Sequence, residues 1–167
     1  MDGYRAFWDG QKLYTKSGNL FSVPNQFTQS FPRDVCLDGE LWTDYANFSN
    51  LSSIYRKSNE LDENQELESW QNVKFCVFDT PMHPGCYPER HSFASDSISG
   101  CGPNICMIPI QQCLGVDHLQ ANLQQVHTKK GEGLMLYHPT SPYISGRTNN
   151  LLKVKLYEEE DVKFISC

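Results

Sequence analysis

The clearest candidates for chemistry in this sequence are two lysines separated by one residue, Lys153 and Lys155 in the segment LLKVKLY. Side chains in a strand alternate between its two faces. Both ammonium groups should therefore leave one face, while Leu152, Val154 and Leu156 form a buried backing on the other. Two cations held side by side suit the binding of a phosphate group. The alternative is an edge strand whose lysines are simply solvated.

Two segments offer carboxylates. In DVCLDGELW, a predicted strand places Asp38 and Glu40 on one face, where a glutamate can accept hydrogen bonds from a ribose or help to hold a metal. In KKGEGLMLY, Glu132 lies between two glycines that allow a ligand close to the backbone, and its carboxylate is a hard oxygen ligand for Mg²⁺. The simpler alternatives are a hairpin with exposed acids and a helix end followed by a turn.

An aromatic residue and an N-terminal Asp-Gly pair complete the candidates. The apolar strand KFCVFDTP reaches Phe78-Asp79, and an aromatic ring there can stack on a base, although a phenylalanine in the core is the ordinary alternative. Asp2-Gly3 is typical of a turn, yet only Met1 precedes it in this sequence. A role other than a hairpin turn is therefore expected for this pair.

The order of these segments resembles that of one enzyme superfamily. The segments DGYR, DGEL, a strand with FD near its end, EGLML and LKVK follow one another as in the covalent nucleotidyltransferases, which comprise ATP-dependent DNA ligases, RNA ligases and mRNA capping enzymes. The resemblance covers essentially the whole chain, and its details are most similar to the small ATP-dependent DNA ligases. Those details lie in segments 6–19, 37–42, 48–57, 73–81 and 132–155. A capping enzyme more often has Trp where this chain has Val154.

The resemblance implies a reaction that uses ATP and Mg²⁺. A lysine amine attacks the α-phosphorus of ATP, which releases pyrophosphate and leaves AMP on the lysine. AMP then moves to the 5′-phosphate of a nick in double-stranded DNA, and the 3′-hydroxyl displaces it as the strand is sealed. Neighbouring cations and Mg²⁺ would favour the neutral form of the lysine nucleophile.

The same resemblance implies roles for the residues identified above. Glu40 would bind the ribose and Phe78 would stack on the adenine, while Glu132 would bind or orient the metal. Lys153 and Lys155 would hold the α-phosphate during catalysis.

Further phosphate contacts are implied at lower specificity. Arg5 would contact the ribose or, later, the nick phosphate, as part of the catalytic set. Lys16, Ser17 and Arg147 would contact the nucleic acid. Many relatives have Arg at the position of Lys16, and many have a basic residue at the position of Tyr137, so this chain departs from the family at both.

The family nucleophile lies in a motif Lys-x-Asp-Gly-x-Arg, of which residues 1–5 supply all but the lysine. That lysine would stand immediately before Met1. We expect the chain to be a ligase adenylylation domain that is truncated at its N-terminus and lacks the oligonucleotide-binding domain that follows in relatives. The alternatives are a degenerate relative that binds nucleotide or nicked DNA without chemistry, and an RNA ligase or mRNA capping guanylyltransferase.

Strands and two helices are expected to position these residues. Alternating or apolar runs predict strands near 4–8, 11–15, 35–42, 73–79, 105–110, 133–137, 151–157 and 162–166. Apolar residues at helical spacing predict a helix at 116–130, capped by Asp117 and stopped by Gly131, and a weaker one at 48–57. Residues 81–104 have no clear period and predict a long loop. Strands do not alternate regularly with helices, so the predicted class is α+β with mainly antiparallel sheets.

Composition limits the class of protein further. The 167 residues suit one domain, and no apolar run approaches the roughly 20 residues that cross a bilayer. Without a signal sequence we expect an intracellular protein, in a compartment that the sequence leaves open, and a monomer. The net charge is −6, but nine of the 20 acids lie in 60–68 and 158–161, and the other 11 face 14 Lys and Arg. One face can therefore be basic enough for DNA.

Seven cysteines leave one minor alternative open. Cys86, Cys101, Cys106 and Cys113 lie near His83 and His91 in the sequence, which could indicate a zinc site. No Cys-x-x-Cys pair is present, and the spacings match no common zinc finger. Reduced structural cysteines are the favoured interpretation.

Overall fold

The computed structural model describes residues 2–45, 47–57 and 63–156. Its main feature is a five-stranded sheet with the order β2-β1-β3-β4-β5. The strands are β1 (Tyr4–Trp8), β2 (Leu13–Thr15), β3 (Leu37–Trp42), β4 (Lys74–Asp79) and β5 (Ile105–Met107). All neighbouring pairs in this sheet are antiparallel except β4 and β5, which are parallel. The predicted α+β class with mainly antiparallel sheets is confirmed.

One face of this sheet forms the hydrophobic core. The buried residues of its central strands alternate along the chain, as in Ala6, Trp8, Leu37, Leu41, Phe75 and Val77. Gly39 belongs to the same face, since a Cβ there would lie 2.6 Å from the Phe75 ring. Of the intervening positions, Arg5 is exposed, while Glu40 and Phe78 are partly buried. Because the strand period is two, the same segments supply both the core and a second, more polar face.

Five helices accompany the sheet in the described residues. They are α1 (Asn25–Thr28), α2 (Phe48–Lys57), α3 (Glu63–Trp70), α4 (Tyr87–Ser97) and α5 (Val116–Thr128). Phe27, Leu51, Trp70 and Ala94, one from each of the first four helices, belong to one buried cluster with the sheet residues. These helices therefore cover the core.

A second sheet of two antiparallel strands, β6 (Leu134–Tyr137) and β7 (Leu151–Val154), carries the later motifs. It is held to α4 at two points. The Tyr137 ring stacks on Tyr87, with centroids 3.6 Å apart and planes 5° from parallel. Further along the β6–β7 loop, the Ser141 carbonyl accepts a 2.7 Å hydrogen bond from Arg90. These contacts fix the position of β7 relative to the first sheet.

The prediction of a long loop at 81–104 is wrong for its central part, where residues 87–97 form α4. Apolar periodicity failed here since this helix is fixed mainly by polar groups. Glu89 accepts a hydrogen bond from the Cys86 backbone N–H in a capping box, and Arg90 is buried in an ion pair. Proline in the first turn is compatible with a helix start, so Pro88 does not break the helix.

The described strands match their predictions, with bounds shortened by one or more residues in most of them. The predicted helix 48–57 is α2, whereas α5 ends at Thr128, before the predicted 130. Asp117 does not cap α5, because the N-cap residue is Gly115. Lys130, with φ of 59°, leaves the helix in the left-handed region ahead of Gly131. The strand predicted at 162–166 lies outside the described residues.

The described part of the acidic segment 60–68 forms most of α3. This helix ends at Trp70, whose side chain is buried against Phe27 with ring centroids 5.0 Å apart. One large aromatic side chain is enough to fix the end of this otherwise polar helix in the core.

Candidate active site

A buried carboxylate organises the polar face of the first sheet. Asp38 on β3 accepts hydrogen bonds from Arg5 on β1, at 3.1 Å to Nε and 2.5 Å to Nη2. Its Oδ2 also accepts a 2.9 Å hydrogen bond from the Tyr143 hydroxyl. Asp38 is 2% exposed, so the alternative of a hairpin with exposed acids is wrong for this segment. The hydrogen bond with Asp38 raises the pKa of Arg5, which therefore stays charged.

The Arg5 guanidinium links this pair to Phe78. Its Cζ lies 5.6 Å from the centroid of the Phe78 ring, a cation–π distance. Phe78 is partly buried and lies outside the hydrophobic cluster, and its carbonyl accepts a hydrogen bond from Tyr87 at 3.3 Å. The alternative of a core phenylalanine is therefore wrong.

Glu40 lies next to Arg5 in the β1–β3 register, against the N-terminal Asp-Gly pair. A Cβ on Gly3 would meet the Leu41 carbonyl and would lie 3.0 Å from Glu40 Oε1. Only glycine permits this close approach, so the pair packs β1 on β3 and makes no hairpin. Burial raises the pKa of Glu40, and the charge of Glu132 adds to this rise, while a hydrogen bond from the Gly3 N–H opposes it.

Glu132 holds both lysines of the LKVK segment. Its Oε1 lies 2.5 Å from Lys153 Nζ and 2.9 Å from Lys155 Nζ. Although burial favours the neutral acid, the two ammonium groups together lower the pKa of Glu132. Gly133 follows with φ of 151° where it meets the Val154 carbonyl, so a side chain there would push Glu132 away from β7.

The lysines face one way as predicted, but the expected buried backing is wrong. Leu152 is 54% exposed and Leu156 is 41% exposed, because β7 is one strand of a two-stranded sheet with little packed behind it. The alternative of simply solvated lysines is also wrong, since both pair with Glu132. The anchoring of these cations is thus electrostatic.

These contacts join the two sheets into one candidate site. Arg5 connects Asp38 with Phe78, Glu40 lies beside Arg5, and the charge of Glu132 reaches Glu40. We call this set of side chains the candidate cleft; it comprises the Phe78 ring, the three carboxylates Asp38, Glu40 and Glu132, and the three cations Arg5, Lys153 and Lys155. Such a set can bind a nucleotide, with the base at the aromatic ring and the phosphates at the cations.

The remaining predicted phosphate contacts lie further out. Lys16 and Ser17 line a groove of about 450 Å³ together with Gly3, Arg5 and Tyr55. This groove adjoins the cleft because Arg5 belongs to both. Arg147 is exposed on the β6–β7 loop, and across the described ranges no contact ties it to the cleft.

A buried ion pair supports the cleft from behind and escaped the sequence analysis. Arg90 is 1% exposed and donates to Asp79 at 2.7 and 3.1 Å. Its Nη1 donates to the carbonyls of Gly85 and Ser141. Asp79 directly follows Phe78 in the segment FD, which was the only local sign of this pair. These four hydrogen bonds of the Arg90 guanidinium connect β4, the start of α4 and the β6–β7 loop.

Tyrosines form a second feature that sequence reasoning did not assign. Tyr143 reaches Asp38 across 105 residues of chain, and burial together with Asp38 raises the pKa of Tyr143 to about 12. Tyr137, which departs from the basic residue of many relatives, stacks on Tyr87 instead. Its position at the end of an apolar strand was the only signal that it would be packed.

The zinc alternative has no support in the described residues, where no three His, Cys, Asp or Glu side chains gather as metal ligands. His83 faces the Phe93 ring at 5.0 Å, and His91 bonds the Ile108 carbonyl. The described part of the chain also contains no helix with the length and apolar character needed to span a membrane.

The fold is that of a ligase-type nucleotidyltransferase domain. The chain belongs to the ATP dependent DNA ligase domain family, which matches residues 1–155. It is 30% identical over 168 residues to a DNA ligase of Haemophilus influenzae (strain ATCC 51907 / DSM 11121 / KW20 / Rd), covering 99% of this chain and 59% of that protein.

Solved structures agree with this assignment. The chain superposes on a structure from a structure-function analysis of DNA binding by Lig E DNA ligases with a TM-score of 0.82 and 33% identity, covering 95% of this chain and 60% of that one. A Chlorella virus DNA ligase-adenylate matches with a TM-score of 0.68 at 20% identity, covering 93% and 58%, which shows a shared fold. The chain thus spans about three fifths of the length of these relatives.

Proposed function

We propose that this chain is the adenylylating domain of an ATP-dependent DNA ligase that acts on nicked double-stranded DNA. The observation that carries the proposal is the convergence of Lys153 and Lys155 on Glu132, beside a sheet face that presents Arg5, Glu40 and Phe78. Sealing of nicks would place the protein in DNA repair, replication or recombination. The relatives named for DNA ligases support this activity.

The cleft suggests how ATP would lie. Adenine would stack on Phe78, whose ring is flanked by the Arg5 cation. Glu40 would accept hydrogen bonds from the ribose hydroxyls, because its carboxylate is partly buried on the same face. Lys153 and Lys155 would then bind the α-phosphate and stabilise the negative charge that develops on its oxygens.

Glu132 fits a role as a Mg²⁺ ligand. Its lowered pKa keeps it anionic, and a carboxylate oxygen is the hard donor that Mg²⁺ prefers. When a phosphate binds, the two lysines can exchange Glu132 for phosphate oxygens, which frees Glu132 for the cation. Bound Mg²⁺ would neutralise phosphate charge and favour a neutral amine nucleophile.

The nucleophile is proposed at the position directly before Met1, where the family motif has lysine. The Cα of a residue placed there would lie within about 7 Å of the Asp2 Cα, given the reach of two residues. Gly3 is already packed on Glu40, so this amine would lie near the cleft. Its attack on the α-phosphorus would form the lysyl-AMP bond as the bond to pyrophosphate breaks.

The later steps would use the outer groove. Arg5 and Lys16 line it together, and Ser17 lies beside them, so the 5′-phosphate of a nick could be held next to the bound AMP. Arg147 would contact the duplex from the β6–β7 loop. The 5′-phosphate would attack the phosphorus of the lysyl-AMP as the lysine N–P bond breaks, and the 3′-hydroxyl would then attack the 5′-phosphorus and release AMP.

Two measurements test the proposal. Calorimetric titration of the 167-residue chain with ATP in Mg²⁺ should show binding at one site. A version with lysine added directly before Met1 should gain the mass of one AMP, whereas alanine at the same added position should not. A chain that binds no ATP would overturn the proposal. ATP binding without labelling of the lysine version would favour the nucleotide-binding relative.

A further inference from the structure

Two cysteines lie side by side on the polar face of the first sheet. Cys76 of β4 and Cys106 of β5 are direct neighbours in the parallel register, and their Sγ atoms lie 3.6 Å apart in a thiol–thiol hydrogen bond. Cys76 is 3% exposed, and Cys106 is partly exposed. One thiol of the pair can therefore be reached from solvent, and the other lies directly behind it.

This pair adjoins the candidate site. Cys76 is the register partner of Glu40 on the strand that separates β4 from β1, so both side chains emerge on the same face. The charge of Glu40 also contributes to raising the pKa of the Cys76 thiol, as expected of register neighbours on one face. Any movement of the Cys76 sulfur therefore acts on the surroundings of Glu40.

We propose that Cys76 and Cys106 are a redox modification site, in which a hydroperoxide oxidises the two thiols to an intramolecular disulfide that weakens nucleotide binding at Glu40. The formation of the disulfide stands on the geometry of the two strands alone. The effect on nucleotide rests on the proposed function.

The reaction balances with one peroxide for each disulfide. The Cys106 thiolate attacks a peroxide oxygen, the O–O bond breaks, and the leaving oxygen takes up a proton, which gives a sulfenic acid. The Cys76 sulfur then attacks the sulfenic sulfur, the S–O bond breaks, and water leaves with the thiol proton. With hydrogen peroxide, the two thiols are oxidised and the peroxide is reduced to two waters.

The surroundings suit Cys106 as the attacking sulfur. A hydrogen bond with Cys76 lowers the pKa of Cys106, and the positive charge of Lys74 lowers it further. The same contact raises the pKa of Cys76 and keeps it protonated. The exposed thiol is thus the more nucleophilic one, and the buried thiol is placed to resolve the sulfenic acid.

The strands can accommodate the bond. A disulfide requires a sulfur separation of about 2.05 Å, so the sulfurs must approach each other from their present 3.6 Å. β5 has three residues and is the edge strand of its sheet, so it pairs with β4 on one side only. The Cys76 sulfur already faces Cys106 of β5, so closing the bond draws it further from its register neighbour Glu40 on β3.

The disulfide is tested by mass spectrometry on the reduced 167-residue chain. After treatment with hydrogen peroxide and alkylation of the remaining thiols, a proteolytic digest should contain a Cys76–Cys106 cross-linked peptide that dithiothreitol removes. Cys106→Ser should abolish this peptide, whereas the exposed control Cys113→Ser should retain it. Oxidation confined to other cysteines, or to sulfinic and sulfonic products, would overturn the proposal.

The effect on the site is tested separately by titration with ATP. The oxidised chain should bind ATP severalfold more weakly than the reduced chain, and Cys106→Ser should bind equally well with or without peroxide. Equal affinity of the oxidised and reduced wild-type chains would overturn the link to Glu40. Failure of the reduced chain to bind ATP would overturn the proposed function and the link with it, while the cross-linked peptide still decides the disulfide.

Discussion

The Tyr143 hydroxyl and Asp38 Oδ2 lie 2.9 Å apart, in a hydrogen bond that ties the β6–β7 loop to the centre of the first sheet. The same carboxylate oxygen accepts from Arg5 Nη2. The β6–β7 loop, which leads to Lys153, is therefore attached to Asp38, the same residue that orients Arg5. One buried carboxylate sets the relation between the two halves of the site.

Removal of the Tyr143 hydroxyl should loosen this connection. We expect Tyr143→Phe to lower the free energy of unfolding by about 1–2 kcal/mol, because a hydrogen bond to a charged group is lost. Urea unfolding measures the change. Tyr45→Phe, at an exposed tyrosine, should leave the stability unchanged. An effect of equal size in both variants would contradict the role of the Asp38 contact.

Substitution of Phe78 should weaken the binding of the base. Stacking of a base on an aromatic ring contributes about 1–3 kcal/mol, so Phe78→Ala should bind ATP roughly 5- to 150-fold more weakly. It should lose adenosine binding to the same extent, since the base is common to both ligands. Phe93→Ala, at an exposed ring on α4, is the matched control and should bind ATP as the wild type does.

Substitution of Lys153 should weaken binding of the phosphates without affecting binding of the base. Lys153→Met keeps the length of the side chain and removes its charge, so ATP affinity should fall about tenfold, as for the loss of one charge-assisted hydrogen bond. Adenosine affinity should not change, because adenosine carries no phosphate. Parallel titrations with the two ligands measure the difference. A variant that lost both ligands equally would place Lys153 away from the phosphates.

The pH dependence of the free energy of unfolding should show that ionised Glu40 destabilises the folded state. Burial raises its pKa above the ordinary value of 4.5, so the folded state binds the proton more tightly than the unfolded state does. Ionisation therefore costs stability as the pH rises through the folded pKa. Glu40→Gln should be more stable than wild type at pH 7, and this gain should vanish at a pH below 4.5.

Glu89 is the control of opposite sign. Hydrogen bonds with Cys86 lower the pKa of Glu89, so its carboxylate stabilises the fold above its ordinary value of 4.5, and that stability is lost as the pH falls through the folded pKa. Glu89→Gln should accordingly lose stability at pH 7. Urea unfolding at pH 7 and pH 4 compares the two variants, and equal behaviour would contradict the burial of Glu40.

Arg90→Met should be the most damaging of these substitutions. It leaves the Asp79 carboxylate buried without its partner, which costs about 3–5 kcal/mol of unfolding free energy. Adding Asp79→Asn removes the stranded charge and should restore part of the loss. Arg33→Met, at an exposed arginine, is the control. Thermal unfolding measures all three proteins, and a small effect of Arg90→Met alone would contradict the burial of the ion pair.

The sequence was a good guide to strands and a poor one to the contacts between distant segments. Period-two alternation in LDGELW predicts at once that Leu37 and Leu41 face the core while Asp38 and Glu40 face the other way. Local spacing also predicts that Lys153 and Lys155 share a face. These properties depend only on neighbours in the chain, so one sequence is enough to read them.

The parts that could not be predicted are polar contacts between remote residues. Arg90 reaches Ser141 across 51 residues and Tyr143 reaches Asp38 across 105, and neither contact leaves a local period. Helix α4 was missed for the same reason, since its buried Arg90 looks like a surface residue in the sequence. The prediction of a buried apolar face behind β7 was wrong, because alternation does not show whether another element packs against a two-stranded sheet.

The pairing of Glu132 with both lysines has a consequence for ligand selection. The protein carries its own counter-ion in the cleft, so an incoming phosphate replaces one anion with another and gains little net electrostatic energy. Binding of simple salts at this point is suppressed by the same internal competition. The site should therefore favour a ligand that brings a partner for the displaced Glu132 carboxylate. A phosphate chain with a bound divalent cation brings such a partner, whereas a lone anion does not.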